Sequence, residues 1–418
     1  MDLGMFVEMT EFHPAVPSFV TLKCLIILIF VALATRTPQS DLDMCLQLPP
    51  GIFIGDNEND PNGSQAMAKL AEKMEEQANL SGQASVFKIV DVDTARLTAR
   101  IPIIMFRCPI VKEDGTDDFM ECDLSMHNPL AVMNTRFLKT YAEINPVTRV
   151  MAFVIKRWAK ARDINNPARH TLSSYGYIIM LLHYLTYHQR AGNGLMSPVA
   201  GPEGQPLRQS NQPKPLLPNL LWMDPNWPKE QPGTPYREMA SRPKSIVKHP
   251  MEKVNVNTYF YQPANQAELA AIVRLFPGQD LSLAILLTSF FRYYAYEFDY
   301  KRFVVSMHST ASRGLVEREV KAELDGWRHY SAALTIEDPF ETFYDVAHVL
   351  RGGYYHRIRR EFAVAYSKIA DVVSGNKNSA WVDANGDKKD PCSMTGMDLI
   401  DWICEPVAAT ANITEPSS

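Results

Sequence analysis

Ser40-Asp41-Leu42-Asp43-Met44-Cys45-Leu46 places two carboxylates two residues apart inside an alternating run. In an extended strand, positions i and i+2 share a face. Asp41 and Asp43 then point one way, and Leu42, Met44 and Leu46 point into a core. Two carboxylates ~7 Å apart on one rigid strand suit shared divalent cations. Met120–Ser125 repeats the pattern, with Glu121 and Asp123 on one face and Cys122 and Leu124 on the other. A third carboxylate from a neighbouring strand would complete a two-metal cluster. One cation of such a cluster activates an attacking hydroxyl, and the other stabilises a leaving phosphate oxygen. Asp-x-Asp alone is common in solvated turns. The apolar alternation and the matching second segment set this one apart, although spacing alone does not name a reaction.

The elements that must hold these carboxylates are legible around them. Residues 35–148 read as mixed α/β, with a helix over Ala66–Ala78 and strands over Ser85–Val92, Leu97–Phe106 and Met120–Ser125. From residue 149 the period becomes helical. Val150, Phe153, Val154 and Trp158 follow one helical stripe, and Ile178, Leu181, Leu182 and Leu185 follow another, on a helix expected over 174–189. Ala191–Pro250 is rich in Pro, Gly, Asn and Gln and reads as a long irregular insertion anchored by Leu216–Trp222. Helices are expected again at Asn265–Arg274 and Leu281–Ala295, and within Phe340–Lys368 with an interruption at Gly352-Gly353. Ser374–Ser418 is polar and rich in Gly, Asn and Asp, and is expected to be a flexible tail.

Composition bounds the rest. With 418 residues, 46% hydrophobic and 21% charged, the chain is globular and expected to form two or three domains. A net charge of −5 excludes a generally basic binder but leaves room for a local basic channel. Six scattered cysteines without a CxxC pair argue against a disulfide scaffold or structural zinc, and fit reduced thiols in a cytoplasmic or nuclear setting. The longest apolar run, Cys24–Ala34, falls short of the ~20 residues a membrane span needs. Asp2, Glu8 and Glu11 precede it where a signal peptide wants bases, so it reads as a buried strand and no membrane association is expected.

The ordered motifs resemble the noncanonical poly(A) polymerase and terminal uridylyltransferase family. They are Ser40-Asp-Leu-Asp43, Glu121-Cys-Asp-Leu-Ser125, Leu130-Ala-Val-Met-Asn-Thr135, Val154-Ile-Lys-Arg-Trp-Ala-Lys160 and Thr171-Leu-Ser-Ser-Tyr-Gly176. Leu217-Pro-Asn219, Phe290-Phe-Arg-Tyr-Tyr294 and Ile336-Glu-Asp-Pro-Phe-Glu341 follow in the family's order, so the resemblance covers about 35–370. It implies an α+β chain: a polymerase-β-like nucleotidyltransferase domain over 35–148, a mixed sheet with helices, and a mainly helical PAP-associated domain over 149–372, with the active site in the cleft between them. Residues 1–34 would be an atypical leading segment, and 373–418 the tail.

The resemblance also implies roles. Asp41 and Asp43 match the metal-binding pair, and Asp123 the third carboxylate, close to the RNA 3′-hydroxyl. The cations would be Mg2+ or Mn2+. Asn134 and Thr135 match ribose contacts; an amide that donates and accepts suits a 2′-hydroxyl. Lys156 and Lys160, one helical turn apart, match the lysines that hold the triphosphate. Ser174 matches another triphosphate contact near a helix start, where free amides favour anions. Tyr175 matches the aromatic on which the base stacks. Tyr344 falls where several uridylyl-preferring members carry histidine, and the choice between UTP and ATP stays open with a lean to UTP.

One motif is missing. Family members carry a Gly-Ser pair about a dozen residues before the first aspartate, where the serine hydroxyl binds the terminal phosphate. No such pair lies between Met1 and Asp41; the matching positions are near Ile29 and Phe30. Because the resemblance begins abruptly near Thr35, a misassigned first exon or retained intron is the favoured explanation. Loss of comparable phosphate contacts costs ~10²–10³ in rate, so the chain is expected to be weak or inactive.

The leading expectation is a template-independent RNA 3′-terminal nucleotidyltransferase. It would act as a monomer on an RNA 3′ end with UTP or ATP, its substrates chosen by RNA-binding protein partners. Arg157, Arg162, Arg357, Arg359 and Arg360 are candidates to line an RNA path. The alternative is a catalytically impaired RNA-binding scaffold. A DxD glycosyltransferase would explain Asp41 and Asp43 but leave Asp123, Thr171–Tyr175 and Ile336–Phe340 unaccounted for.

Overall fold

A computed structural model describes residues 7–8, 25–28, 42–47, 60, 63–79, 89–99, 101–111, 115–126, 128–187, 189–191, 194–196, 215–228, 242–249, 254–276, 282–308, 315–325, 327, 334–351, 353–374, 381–382, 388–389 and 394–406. The chain divides into two compact units. The first takes residues 1–140 and 244–258, and the second takes 141–243 and 259–418. The division falls eight residues before the expected 148/149 boundary, and the hairpin of 246–248 with 255–257, on the edge of the expected insertion, belongs to the first unit.

The first unit is built on a six-stranded mixed sheet. Its strands are β1 (Val7–Glu8), β2 (Leu25–Leu28), β3 (Leu42–Gln47), β4 (Val90–Asp93), β5 (Ile103–Val111) and β6 (Asp117–Met126), in the order β1-β2-β3-β6-β5-β4. Only β3 and β6 run parallel; the other pairs are antiparallel. Of the apolar run Cys24–Ala34, Leu25–Leu28 is the strand, and its burial lies outside the described residues. The expected strand over Leu97–Phe106 begins later, at Ile103, because residues 94–99 turn through Leu97 N–H to Thr94 and Ala99 N–H to Arg96 carbonyl bonds. Helix α1 (Ser64–Asn79) covers one face of the sheet. Met67, Ala71 and Met74 pack on Ile104, Phe106, Cys122 and Leu124, the i, i+4, i+7 stripe meeting the period of two. Buried Asp60 caps α1, accepting from the Gln65 and Ala66 amides at 3.0 Å each.

Helix α2 (Pro129–Ile144) follows β6 at once. Asn128 accepts from the Ala131 amide at 3.1 Å and proline opens the first turn, a strong start signal. The Asn128 amide also donates to Cys45 Sγ on β3 at 3.2 Å, which ties the start of α2 to the carboxylate strand.

The second unit is helical: α3 (Pro146–Ala161), α4 (Ser174–Tyr187), α5 (Gln266–Leu275), α6 (Leu283–Arg292), α7 (Arg318–Asp325), α8 (Tyr354–Ser374) and α9 (Gly396–Ile403). Trp158 of α3 centres its core, edge-on to Phe291 of α6 and against Phe362 of α8, with centroids 4.9 and 5.0 Å away. The buried stripe of α3 is Met151, Val154, Ile155 and Trp158; Val150, expected inside, is 45% exposed. Every residue of α4 from Gly176 to Tyr187 is buried, so its apparent stripe is one side of a central helix. Within the expected insertion, Leu216, Leu217, Leu220 and Leu221 are buried as an anchor.

Two expectations fail here. Residues 340–351 form turns and the helix begins only at Tyr354, because the Asp338 and Asp345 carboxylates take backbone amides that a helix would use. The tail from Ser374 is not uniformly flexible: α9 opens on a Thr395/Asp398 capping box and buries Leu399, Trp402 and Ile403. The Asp401 carboxylate of α9 takes one of the arginines offered for an RNA path, and groups elsewhere in the second unit hold three more. Arg157 pairs with Asp401 at 2.6 Å, and Arg162 donates to Glu361 at 2.7 Å and to the Glu405 carbonyl. Arg357 is held by Asp163 at 3.0 Å, and Arg359 donates to the Ala295 carbonyl at 2.9 Å. Among the described residues, no helix is long and apolar enough to cross a membrane.

Candidate active site

The carboxylates sit on the parallel strand pair. Asp43 and Asp123 are direct register partners across β3 and β6, flanked by Leu42–Cys122 and Met44–Leu124 pairs. Adjacent strands lie ~4.8 Å apart, so the two carboxylates rise side by side from one face. Cys122 and Leu124 are buried on the other, with Leu42, Met44 and Leu46 packed beside them, which locks the register. The Ser125 hydroxyl donates to the Met44 carbonyl at 3.1 Å and stitches the strands further. Asp41 lies outside the described residues, and the described ones hold no group of three His, Cys, Asp or Glu side chains placed for a metal. The donor chemistry of Asp43 and Asp123 fits a hard divalent cation. Arg96, which the motif reading missed, reaches Asp123 with Nη1 3.6 Å from Oδ2. Glu121, the other acidic residue of the second segment, is exposed. Asn134 and Thr135 lie half-buried on α2, the helix anchored to β3 through Cys45; the Thr135 hydroxyl donates to the Ala131 carbonyl at 2.9 Å.

The second unit carries the residues expected to hold the triphosphate and the base. Lys156 and Lys160 stand one turn apart on α3, the first half-buried and the second exposed. At the start of α4 the Ser173 hydroxyl takes the Gly176 amide at 3.2 Å as a cap. Ser174 follows as the first helical residue, its hydroxyl accepting from Asn165 at 2.8 Å. Asn165 is a neighbour that spacing could not reveal. Tyr175 donates its hydroxyl to Asp338 Oδ2 at 2.9 Å. Burial, then the Asp338 charge, raises the tyrosine well above its ordinary pKa. Asp338 is itself buried, and burial followed by the neighbouring Glu341 pushes its carboxyl up to about 6. The Asp338 amide donates to the Tyr344 carbonyl at 3.3 Å, so the structure brings Tyr175, Asp338 and Tyr344 together. Tyr344 packs against His348, centroids 5.0 Å apart.

The turn carrying Tyr344 is fixed from below. His308 Nε2 donates to the Pro339 carbonyl at 2.8 Å, and Trp327 Nε1 to the Thr342 carbonyl at 2.9 Å. Buried Glu337 takes both Lys321 Nζ and the Ser306 hydroxyl. These contacts leave the 338–345 turn little freedom.

A model of the poly(A) RNA polymerase, mitochondrial-like, central palm domain matches residues 32–143. One of the Cid1 family poly A polymerase matches residues 282–342. The chain is 29% identical over 277 residues to the terminal uridylyltransferase cid1 of Schizosaccharomyces pombe, covering 64% of this chain and 54% of that protein. It is 28% identical over 244 residues to the poly(A) RNA polymerase GLD2 of Bos taurus, covering 58% of this chain and 38% of that one. These matches are all to the noncanonical poly(A) polymerase and terminal uridylyltransferase family, which the chain resembles. A Mg 3′-dATP-bound structure of the Cid1 poly(U) polymerase shares the polymerase-β-like architecture. Its TM-score is 0.54 at 25% identity, over 83% of this chain and 82% of that one. The chain spans about half the length of cid1 and just over a third of GLD2. The palm-domain match contains Asp41, Asp43, Asp123, Asn134 and Thr135. The second match contains Asp338 and stops two residues short of Tyr344, while Lys156, Lys160, Ser174 and Tyr175 lie between the two.

Proposed function

We propose that the chain is a template-independent RNA nucleotidyltransferase that adds UMP or AMP to RNA 3′ ends. The observation that carries the reading is the register pairing of Asp43 with Asp123 on parallel strands. In this reading the first unit supplies the chemistry and the ribose contacts, and the second supplies the triphosphate and base contacts. The RNA 3′-hydroxyl oxygen bonds the α-phosphorus in line, the bond to the β-bridging oxygen breaks, and pyrophosphate leaves. When bound, Mg2+ or Mn2+ polarises the hydroxyl and neutralises charge on the leaving group. Asp41, Asp43 and Asp123 would hold the cations, Asp123 lying nearest the 3′-hydroxyl. Asn134 and Thr135 are assigned to the ribose. Lys156, Lys160 and Ser174 are assigned to the triphosphate, and Tyr175 to stacking on the base.

Relatives support the substrates: one Cid1 structure is a complex with the UTP analogue UMPNPP and another with the short product ApU. Against a catalytically silent scaffold stands the preserved strand pair, which a binding role alone does not need. The test is extension of a labelled oligo(A) primer by the chain with UTP or ATP and Mg2+ or Mn2+. Slow stepwise lengthening is expected, because the Gly-Ser phosphate contacts are missing before Asp41, and no lengthening under any combination would overturn the reading.

A further inference from the structure

Two thiols meet directly behind the carboxylate strands. Cys108 on β5 and Cys122 on β6 lie with Sγ atoms 3.9 Å apart. The register pairs Cys122 with Phe106 and Cys108 with Met120, so the cysteines are diagonal neighbours on the core face of antiparallel strands. Cys122 is 1% exposed, whereas Cys108 is half-buried. Asp123 follows Cys122 immediately and projects from the opposite face. The site reading above leaves both thiols unused.

We propose that Cys108 and Cys122 are a peroxide-sensitive dithiol that closes to a disulfide and, in closing, displaces Asp123. Hydrogen peroxide oxidises the more accessible Cys108 thiol to a sulfenic acid and one water is released. The Cys122 sulfur attacks that sulfur, the S–O bond breaks, and the hydroxyl leaves with the Cys122 proton as a second water. The two thiols lose two electrons and two protons, and one peroxide becomes two waters. The bond requires the sulfurs to close from 3.9 Å to about 2.05 Å. Diagonal strand neighbours stand ~7–8 Å apart at Cα, at the outer limit for a disulfide, so the closure must draw on backbone movement. That movement falls on the residue before Asp123, and a misplacement of about 1 Å at a reacting centre costs on the order of 100-fold in rate.

The link to activity rests on the proposed function; formation of the bond does not. The reduced full chain is treated with hydrogen peroxide, alkylated, and digested with trypsin without reductant. Cleavage after Arg107, Lys112 and Arg136 places Cys108 in residues 108–112 and Cys122 in residues 113–136. A disulfide-linked pair of these two peptides is expected. Primer lengthening should fall ~10- to 100-fold on oxidation and return with dithiothreitol. Mn2+ affinity, read by electron paramagnetic resonance without any turnover, should fall by about tenfold or more. Cys108→Ser should keep basal lengthening and lose both responses. Recovery of both cysteines in alkylated form after peroxide overturns the dithiol. Linked peptides with unchanged Mn2+ affinity, or equal peroxide sensitivity in Cys108→Ser, overturn the displacement of Asp123. A reduced chain that never lengthens primer fails the functional reading alone, since the linked peptides and Mn2+ affinity still decide this one.

Discussion

Asp43 and Asp123 are register partners on neighbouring parallel strands, 80 positions apart in the chain and side by side in the sheet. This pairing turns two short acidic motifs into one acidic face, the one proposed to hold the cations. Asp43→Ala and Asp123→Ala should each lower primer lengthening by roughly 10²–10³-fold or more, because removing one ligand unbalances the shared cations. EDTA should abolish lengthening, and added Mg2+ or Mn2+ should restore it. Near wild-type rates in Asp43→Ala would remove this strand pair from the chemistry. Folding should persist in both variants, since the partly solvated acidic face adds little to the core.

Asp338 gives a pH signature. Burial, then Glu341, holds its carboxyl up to about 6, above the ~3.9 of an aspartate in an unfolded chain. Between about pH 4 and 6 the folded protein keeps a proton there that the unfolded chain has lost. The stability from this group is therefore full below about pH 4 and is lost as pH rises through 6, by up to about 3 kcal/mol. Urea denaturation of wild type and Asp338→Asn should show the difference moving in favour of wild type between pH 7.5 and pH 5. Movement the other way would mean that Tyr175 and the Phe340 and Glu341 amides stabilise the carboxylate more than burial destabilises it.

The C-terminal helix α9 separates burial from ion pairing as sources of stability. Trp402 is 7% exposed, with Lys368 Nζ 5.6 Å from its ring centroid. Trp402→Ala should cost ~3–5 kcal/mol. The Arg157–Asp401 pair is over a third exposed on both sides, so Asp401→Ala should cost no more than about 1 kcal/mol. Chemical denaturation of the two variants measures both. Similar losses would show that the ion pair, rather than the buried face, holds α9.

The strands and helices that position the candidate site were legible because local pattern and tertiary demand agree there. β3 alternates except at Cys45, α1 repeats Met67, Leu70, Ala71 and Met74 at the helical period, and α4 carries a long apolar run. What escaped the sequence depends on distant partners. Nothing near Tyr175 announces Asp338, 163 residues away, nor does Arg96 announce Asp123. The buried face of α3 was read one position off: Val150 fits the stripe as well as Met151 does, and only packing around Trp158 decides between them. Asp338 and Asp345 look like solvated acids, yet their capping bonds stop a helix over 340–351. The polar composition of the C-terminal segment concealed α9, whose three buried residues suffice because they dock on an existing surface.

Tyr344 is the proposed determinant of base choice, because by the family resemblance it falls where several uridylyl-preferring members carry histidine. Its amide donates to the Glu341 carbonyl at 2.7 Å and its carbonyl accepts from the Asp338 amide at 3.3 Å, so backbone bonds fix the turn whatever the side chain. Tyr175, the expected stacking platform, meets the same turn through Asp338. A side chain at 344 thus stands beside the platform on a rigid support. If it reads the base edge, Tyr344→His should shift the UTP/ATP ratio of kcat/KM roughly 5- to 10-fold, about one hydrogen bond. Tyr344→Ala should relax discrimination by opening room for a purine. Lys156→Ala and Lys160→Ala should raise KM for both nucleotides alike, since phosphates are common to both. The measurement is a four-nucleotide competition on one oligo(A) primer with wild type and the four variants, alongside melting temperatures. An unchanged ratio in both Tyr344 variants would remove this residue from base recognition. A large fall in melting temperature would make its packing against His348 structural. A ratio moved by the lysine variants instead would reassign selectivity to the triphosphate side.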